Sequence, residues 1–397
     1  MESLQNEKNQ KNILAVFRSL NARKYMMVVV LLAIWCIFSI LTRGLFTSSR
    51  NLSNLFLQMC TVGILTCGMM FIMVTGNIDI SLGSVLGTLG ALAAVLIINE
   101  KVNPILAALI TLAAGIAVGA WHGYWISYRN VPAMIATLAS MVAFKGLTLG
   151  ITAGVTISGF PDSFKLIGQG YLPKVFLPNA NFNDSSLILT VGIAVIFVVM
   201  NLSNRRTRIR YGFLVPSIWK GLAGIVLVCV GIGAVGYIMI SYRGIPISIL
   251  ILLVAAYICN FIANKTPYGR SIYAIGGNKE AARYSGININ RNMMIMYCIM
   301  GLLNAVAALV YTTRLNAATT SAGTSMEMDV IAACVIGGTS PAGGVGTIFG
   351  GIIGALVMAS LDNGMSLLNL DIMYQYVIKG LVLLFAVAID AASRKKS

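Results

Sequence analysis

A polar stretch at residues 267–287, PYGRSIYAIGGNKEAARYSGI, separates two apolar runs at 245–263 (IPISILILLVAAYICNFIA) and 293–312 (MMIMYCIMGLLNAVAALVYT). Each run is long enough to cross a bilayer, because about 20 helical residues span its hydrocarbon core of about 30 Å. The stretch between them is basic and rich in glycine, so it belongs at an aqueous surface. This arrangement predicts a membrane protein that presents one of its loops to a soluble partner.

The composition of the whole chain supports this prediction. Of its 397 residues, 58% are hydrophobic and 10% are charged, whereas a soluble domain carries about 25% charged residues. The apolar runs are continuous and do not alternate with polar residues, as the strands of a membrane barrel do. We therefore predict an all-α polytopic membrane protein with a single transmembrane domain over residues 1–397 and its membrane region over 25–392.

The apolar pattern predicts about twelve transmembrane segments, two of which flank glycine-rich breaks. They lie at 25–42, 58–75, 82–98, 104–126, 133–153, 186–203, 221–240, 245–263, 293–312, 328–337, 347–361 and 373–389. The segment at 328–337 is short for a full crossing and is expected to be a half-span or re-entrant piece, which needs protein or water around it. The N-terminal stretch has no cleavable signal pattern, so the first segment is expected to remain as a span.

The distribution of charge predicts the orientation of the chain. A net charge of +16 would suggest nucleic-acid binding in a soluble protein, but here Lys and Arg cluster at the two termini and after residues 203 and 263. Cytoplasmic loops carry an excess of Lys and Arg. An even number of crossings separates each cluster from the next, so all four clusters lie on one side. We predict cytoplasmic termini, a cytoplasmic loop at 264–292 and an external loop with a short helix at 155–184, and no binding of nucleic acid.

Two glycine-rich breaks, at 76–84 and 337–347, interrupt the apolar pattern. Each precedes a run with small residues three or four apart, which lets helices pack closely, and their similarity suggests two related halves of a transporter. The second break has the glycine spacing of a phosphate-binding loop, but Gly344 stands where that loop needs Lys, so tight packing or a mobile gate is favoured. The candidate translocation or gate residues are Asn77, Asp79, Ser81, Gly83, Gly338, Thr339, Ser340, Gly343 and Gly344.

Ionisable residues in or beside the spans are further candidates for function. They are Asp79, Lys145, Glu327, Asp329, Asp362 and Lys379. Helix capping is the favoured role for the acids at helix starts, because a carboxylate stabilises the positive end of a helix, and a proton relay is the alternative. His122 is the sole histidine, and the spacing of the seven cysteines fits no metal motif. We therefore expect no metal or cofactor.

The polar stretch at 267–287 contains the signals of its own short helix. Asn278 is a suitable N-cap, Glu280 suits the first turn, and Gly286 can end the helix. So short a helix is unstable alone, so we predict that it docks on a partner, against the alternative of an ordinary solvated loop. The predicted coupling residues are Gly277, Asn278, Lys279, Glu280, Ala281, Ala282, Arg283, Tyr284, Ser285 and Gly286.

The chain combines four motifs, which are GNIDISLGS at 76–84, GGNKEAARYSGI at 276–287, DVIAACVIGGTS with GGVG at 329–346, and YQYVIKG at 374–380. Together they resemble the motifs of permeases in the ribose/galactose/xylose branch of ABC importers, with Asn77 where the first motif commonly has Gly. The resemblance covers nearly the whole chain. The extra pair of spans around 186–240 is similar to the xylose-permease variant.

This resemblance implies a permease subunit in the cell membrane that imports a monosaccharide, xylose or a similar sugar, by alternating access. It also implies a homodimeric pore in the lipid bilayer, a cytoplasmic ABC ATPase subunit and an extracytoplasmic sugar-binding protein, with no covalent chemistry in the chain itself. One alternative is an ion-coupled secondary sugar transporter with Asp79, Glu327 or Asp362 as relays. Another is an ABC permease for a different small polar solute, such as a nucleoside. An intramembrane enzyme is disfavoured, because no convincing catalytic pair is present.

Overall fold

The computed structural model describes residues 22–176, 182–213, 215 and 218–394. This part of the chain is helical, apart from one antiparallel pair of two-residue strands, β1 (Ile157–Ser158) and β2 (Ala317–Ala318), and the connecting loops. The helices are α1 (Ala22–Leu41), α2 (Ser49–Val74), α3 (Leu82–Ala94), α4 (Pro104–Gly123), α5 (Ala133–Thr152), α6 (Asp162–Gln169), α7 (Asp184–Arg210), α8 (Ile218–Ile240), α9 (Ile247–Lys265), α10 (Pro267–Gly277), α11 (Lys279–Tyr284), α12 (Ile289–Leu315), α13 (Met326–Ile336), α14 (Ile348–Leu367) and α15 (Ile372–Arg394). Short π-helical turns, Val95–Asn99 and Tyr124–Tyr128, extend α3 and α4.

Every predicted span coincides with a helix, so the polytopic all-α fold is confirmed. The predicted count of twelve crossings is not confirmed, since nine helices in the described ranges are long and apolar enough to span a membrane. The apolar parts of α1 and α15 are shorter, and the 11 residues of α13 rise only about 16 Å. The short length expected at 328–337 is therefore confirmed, whereas the count of twelve crossings is not.

Several helices are longer than the apolar segments that predicted them. α2 begins at Ser49 and not at 58, because the Ser48 side chain accepts a hydrogen bond from the backbone of Asn51 and caps the helix there. α7 continues to Arg210, beyond the predicted end at 203. Hydropathy identifies only the apolar part of a helix. The helix itself can be longer, because its backbone hydrogen bonds continue through polar residues at either end.

α2 and α12 form the centre of the bundle, and α2 is buried along almost its whole length. Glycines bring α12 close to α4. A Cβ added to Gly301 would stand 2.0 Å from the carbonyl oxygen of Gly115, and one added to Gly119 would stand 2.2 Å from that of Tyr297. Such close backbone contact leaves no room for lipid between the two helices.

The chain between α2 and α3 is not a surface loop. We call the end of the bundle at which α2 ends and α12 begins the coupling end, because α10 and α11 lie there. Asn304 lies about 22 Å along α12 from this end, and its Nδ2 donates to the carbonyl oxygen of Leu82 at 2.9 Å. α3 therefore begins inside the bundle, and residues 75–81 reach it without helical structure. Asp79 and Ser81 on this stretch are buried, as non-helical backbone at such depth requires.

A second non-helical stretch, residues 319–325, enters the bundle from the opposite end. It follows β2 and runs beside α3, where a Cβ on Gly87 would lie 2.9 Å from the carbonyl oxygen of Ala322 and one on Gly83 would lie 2.2 Å from that of Gly323. α13 begins directly afterwards, so the first turns of α3 and α13 lie side by side within the bundle. The polar run TTSAGTS at 319–325 is the sequence signal for this second break.

We expect Gly301→Leu to destabilise the bundle, because the added side chain would force α4 and α12 apart. Overpacking of a tight core costs about 1–3 kcal/mol, which should lower the melting temperature of the detergent-solubilised protein. Gly192→Leu in α7 is the matched control and should leave the melting temperature unchanged, since nothing lies within 4 Å of a Cβ at Gly192. Equal melting temperatures for the two variants would contradict the close packing of α4 on α12.

Candidate coupling and gating site

The predicted short helix is present as α11, with both of its expected ends. Asn278 Oδ1 accepts a hydrogen bond from the backbone N–H of Ala281 at 3.0 Å and caps the first turn. At the other end, the N–H of Gly286 bonds to Arg283 and that of Ile287 bonds to Ala282. Gly286 has φ +80°, so the helix ends in a Schellman motif that needs glycine there.

α11 turns one side inward and leaves the other uncovered. Ala282 is buried, whereas the large apolar ring of Tyr284 is 87% exposed. Glu280 and Arg283 are also exposed, and both line a cavity of about 370 Å³ between α11 and the start of α12. An exposed aromatic ring flanked by charges of both signs is a surface suited to contact with another protein.

The end of α10, just before α11, meets the end of α2 and the second glycine-rich break. A Cβ on Gly276 would stand 1.7 Å from the carbonyl oxygen of Val74, the last residue of α2, and 2.7 Å from the backbone nitrogen of Gly344. That nitrogen donates to the same Val74 oxygen at 2.8 Å. Gly343 also approaches, since its Cβ would stand 2.7 Å from the Gly276 oxygen. We call Val74, Gly276, Gly343 and Gly344 the glycine junction.

Two tyrosines of α10 fasten the helix to this end of the bundle. Tyr273 donates its hydroxyl to the carbonyl oxygen of Gly346 at 2.7 Å, and Tyr268 donates to that of Asn292 at 3.1 Å. Burial raises the pKa of both phenols above the usual value, so both remain protonated donors. Neither tyrosine was among the residues predicted from the sequence, although an aromatic residue within a polar stretch is a signal of local packing.

The predicted gate residues of the first break lie deeper in the bundle. Asp79 Oδ1 accepts hydrogen bonds from the backbone N–H of Ser81 at 2.8 Å and from its hydroxyl at 2.6 Å. Asn77 Nδ2 donates to Thr75 Oγ1 at 2.9 Å. Asp79 thus holds the residue that precedes α3 in place. The side-chain cap expected from Asp79 and Ser81 is not formed at the start of α3. Gly83 lies beyond them in the first turn of α3.

The predicted gate residues of the second break form a separate group. Thr339 and Ser340 are buried, and Ser340 Oγ lies 3.3 Å from Asp390 Oδ2. Gly338 has φ +80° with nothing within 4 Å of a Cβ, so it permits the turn after α13 without close contact. The structure therefore brings Gly343 and Gly344 to the coupling residues, and it does not gather the nine gate candidates into one constriction.

Three charged side chains meet where α13, α14 and α15 pack together. Lys379 Nζ lies 3.0 Å from Asp329 Oδ2 and 2.8 Å from Asp362 Oδ1. The Lys379 side chain is 18% exposed and that of Asp329 12%. We call these residues the ion triad. An ionisable group within a membrane is stable when it is paired, so the triad ties three helices together.

The triad corrects two assignments made from the sequence. Asp329 does lie in the first turn of α13, but it also pairs with Lys379. Asp362 does not end a span, because α14 continues to Leu367. The pairing joins three separate helices, so no local sequence pattern could have shown it.

His122 packs between two aromatic rings. Its centroid lies 6.4 Å from that of Phe144 and 6.3 Å from that of Tyr297. In the part of the chain that the structure describes, no group of three His, Cys, Asp or Glu side chains could hold a metal ion.

Comparison with known proteins identifies the family. The family model described as "Branched-chain amino acid transport system / permease component" matches residues 51–387. The chain belongs to this family. The xylose transport system permease protein XylH of Haemophilus influenzae is 41% identical over 380 residues, covering 96% of this chain and 99% of that protein. XylH of Escherichia coli K12 is 40% identical over 380 residues, covering 96% and 94%.

A second group of relatives comes from ribose transport. The ribose import permease protein RbsC of Bacillus subtilis is 33% identical over 398 residues, covering 100% of this chain and 99% of that protein. No solved structure is significantly similar to the chain. The resemblance to the ribose and xylose branch of ABC permeases is thus confirmed. The chain is a multi-pass membrane permease subunit and not an enzyme, and its family implies a separate ATPase and a substrate-binding protein as partners.

We expect Lys379→Met to destabilise the protein, because Asp329 and Asp362 would be left without a counter-charge. Breaking a buried ion pair costs about 3–5 kcal/mol, and the lower figure applies here since Asp362 is 33% exposed. The measurement is the melting temperature in detergent.

Two further variants separate loss of charge balance from loss of packing. Adding Asp329→Asn and Asp362→Asn to Lys379→Met should restore most of the melting temperature, because no charge is then unpaired. Lys165→Met removes the exposed ion pair with Asp162 and should have no effect. A triple variant no more stable than Lys379→Met would show that the triad is not held by charge.

Proposed function

We propose that the chain is the permease subunit of an ABC importer for xylose or a similar monosaccharide. The observation that carries this proposal is the near full-length similarity to two proteins named as xylose transport permeases, at 41% and 40% identity. The ribose permease is less similar, at 33%. We propose further that the whole chain acts as one permease domain and that two copies form the pore, as the family resemblance implies.

The coupling end would face the cytoplasm, together with both termini. Support comes from the basic residues near this end, which include Lys265, Arg270, Lys279, Arg283 and Arg291, because positive charge in short loops favours the cytoplasmic side. α6, in the loop at 155–184, would then face outward, toward the sugar-binding protein. ATP would be hydrolysed below the coupling end, by the partner subunit.

The glycine junction supplies a route from the ATPase to the pore. α11 would dock on the ATPase through Tyr284, Glu280 and Arg283. Movement of α11 would pass to α10, which is joined to it at Asn278, and Gly276 would press on the end of α2 and on the second break. Because atoms in such close contact cannot move closer together, a small displacement of α10 would shift both broken segments. Alternating access would follow from that shift.

Reconstituted transport tests the substrate and the energy source. Proteoliposomes that contain the chain, its ATPase and xylose-loaded binding protein should accumulate xylose only with ATP. An ion gradient without the ATPase should give no uptake. ATP-driven uptake of ribose or a nucleoside but not of xylose would contradict the substrate, and gradient-driven uptake would support the ion-coupled alternative.

Charge reversal on α11 tests the coupling assignment. We expect Glu280→Arg with Arg283→Glu to weaken association with the ATPase at least about tenfold, which is about 1.4 kcal/mol, because interface charges would face like charges. Membrane insertion should be normal, since neither residue lies in a span. The readouts are co-purification of the ATPase and ATP-driven uptake.

The matched control is the same exchange on α6. Asp162 and Lys165 are also an acid and a base three residues apart on a short helix, but at the other end of the bundle. Asp162→Lys with Lys165→Asp should leave ATPase co-purification unchanged. Normal co-purification and uptake with the α11 variant would identify that segment as an ordinary solvated loop.

A further inference from the structure

An open cavity with charged and hydroxyl side chains in its wall lies on the side of the bundle, apart from the glycine junction and the ion triad. It has a volume of about 330 Å³ and lies between α5, the first turn of α3 and the 319–325 stretch. Polar side chains along its walls include Ser84, Lys145, Thr320, Thr324, Ser325 and Glu327. We call it the α3–α5 cavity. Because α3 and α13 both begin beside it, it lies at the depth of these two helix starts and not at the coupling end.

Lys145 is the first reason to give this cavity a function. It is an exposed residue within α5, an apolar helix of 20 residues that is long enough to span the membrane. A hydrogen bond of 2.8 Å between Thr88 and Thr148 holds this part of α5 on α3. An ammonium group at such a position is unstable against lipid and marks a water-filled or polar surface.

Glu327 gives the cavity a charge of the opposite sign. Its Oε2 lies 2.7 Å from the position that a Cβ on Gly83 would occupy, so the carboxylate rests over the first turn of α3. Lys145 and Glu327 therefore line one cavity, with the hydroxyl groups of the 319–325 stretch beside them. Gly146, next to Lys145, also lines the cavity and has nothing within 4 Å of a Cβ, which leaves room at that wall.

We infer that the α3–α5 cavity is a subsite that holds a neutral, polyhydroxylated solute during its passage, an inference that rests on the proposed function. Lys145 disfavours a cation and Glu327 disfavours an anion, whereas hydroxyl groups can donate to the carboxylate and accept from the ammonium. Hydrogen bonds to charged groups are the strong ones. The volume is at the lower end of about 300–1,000 Å³ for small-molecule sites, which suits a solute the size of a monosaccharide.

Cysteine labelling in the assembled importer tests whether the cavity holds water. Cys36, Cys229 and Cys298 are replaced by Ala, which leaves four buried native cysteines that should be unreactive. We expect Lys145→Cys to react with a hydrophilic methanethiosulfonate at least about tenfold faster than Leu147→Cys, because a thiol in lipid does not ionise. Leu147 is exposed but does not line the cavity. Equal rates would overturn the inference.

Transport kinetics test whether the solute contacts the charged walls. We expect Glu327→Gln to raise the KM for xylose at least about tenfold, through loss of a charged hydrogen bond, without changing ATPase co-purification. Glu100→Gln, at the end of the π-turn that follows α3, is the control and should keep the wild-type KM. Xylose at saturation should slow the labelling of Thr324→Cys at least about twofold during turnover.

The outcomes separate this inference from the proposed function. If the wild-type importer does not transport xylose, the proposed function fails. If the wild type transports xylose but Glu327→Gln keeps its KM and Thr324→Cys is not protected, only the α3–α5 cavity is wrong. Should Glu327→Gln fail to fold, the labelling of Lys145→Cys and Thr324→Cys still decides the question.

Discussion

The fold depends on one constraint: backbone N–H and C=O groups that lie in hydrocarbon must find partners within the protein. Helices meet this requirement by themselves, but residues 75–81 and 319–325 run through the bundle without helical structure. They are stable because neighbouring backbones surround them. Gly83 lies directly against Gly323, and Asn304 satisfies the carbonyl of Leu82. Small residues such as Gly83 and Gly323 therefore allow these segments to remain non-helical, because they let neighbouring backbones come close.

The same close contact connects the surface of the protein with its interior. At the glycine junction, α10, the end of α2 and the second break meet with no intervening side chains. Tyr273 adds a hydrogen bond from α10 to Gly346, so the helix that precedes α11 is bonded to the second break. A side chain at Gly276 would separate these elements and weaken the link that the proposed mechanism requires.

The charges inside the bundle fall into two kinds. Lys379 is held by Asp329 and Asp362, which suits a group that fastens helices together. Lys145 and Glu327 line a cavity with room between its walls, which suits groups that meet a solute. Both kinds look alike in a sequence, since each is an ionisable residue in or beside an apolar run. The difference lies in their surroundings, because Lys379 is paired with two carboxylates whereas Lys145 and Glu327 line an open cavity.

The sequence by itself determined the class of fold, the positions of the helices, the short α13 and the capped α11, because hydropathy and capping are local properties of consecutive residues. It also identified the family, through the motifs at 76–84 and 276–287. Only the tertiary structure decided that α3 begins inside the bundle, that Gly276 touches the end of α2 and the second break, and that Lys379 pairs with two acids. These features join residues far apart in the chain. These contacts depend on how closely the helices pack, and a pattern of consecutive residues does not specify that distance.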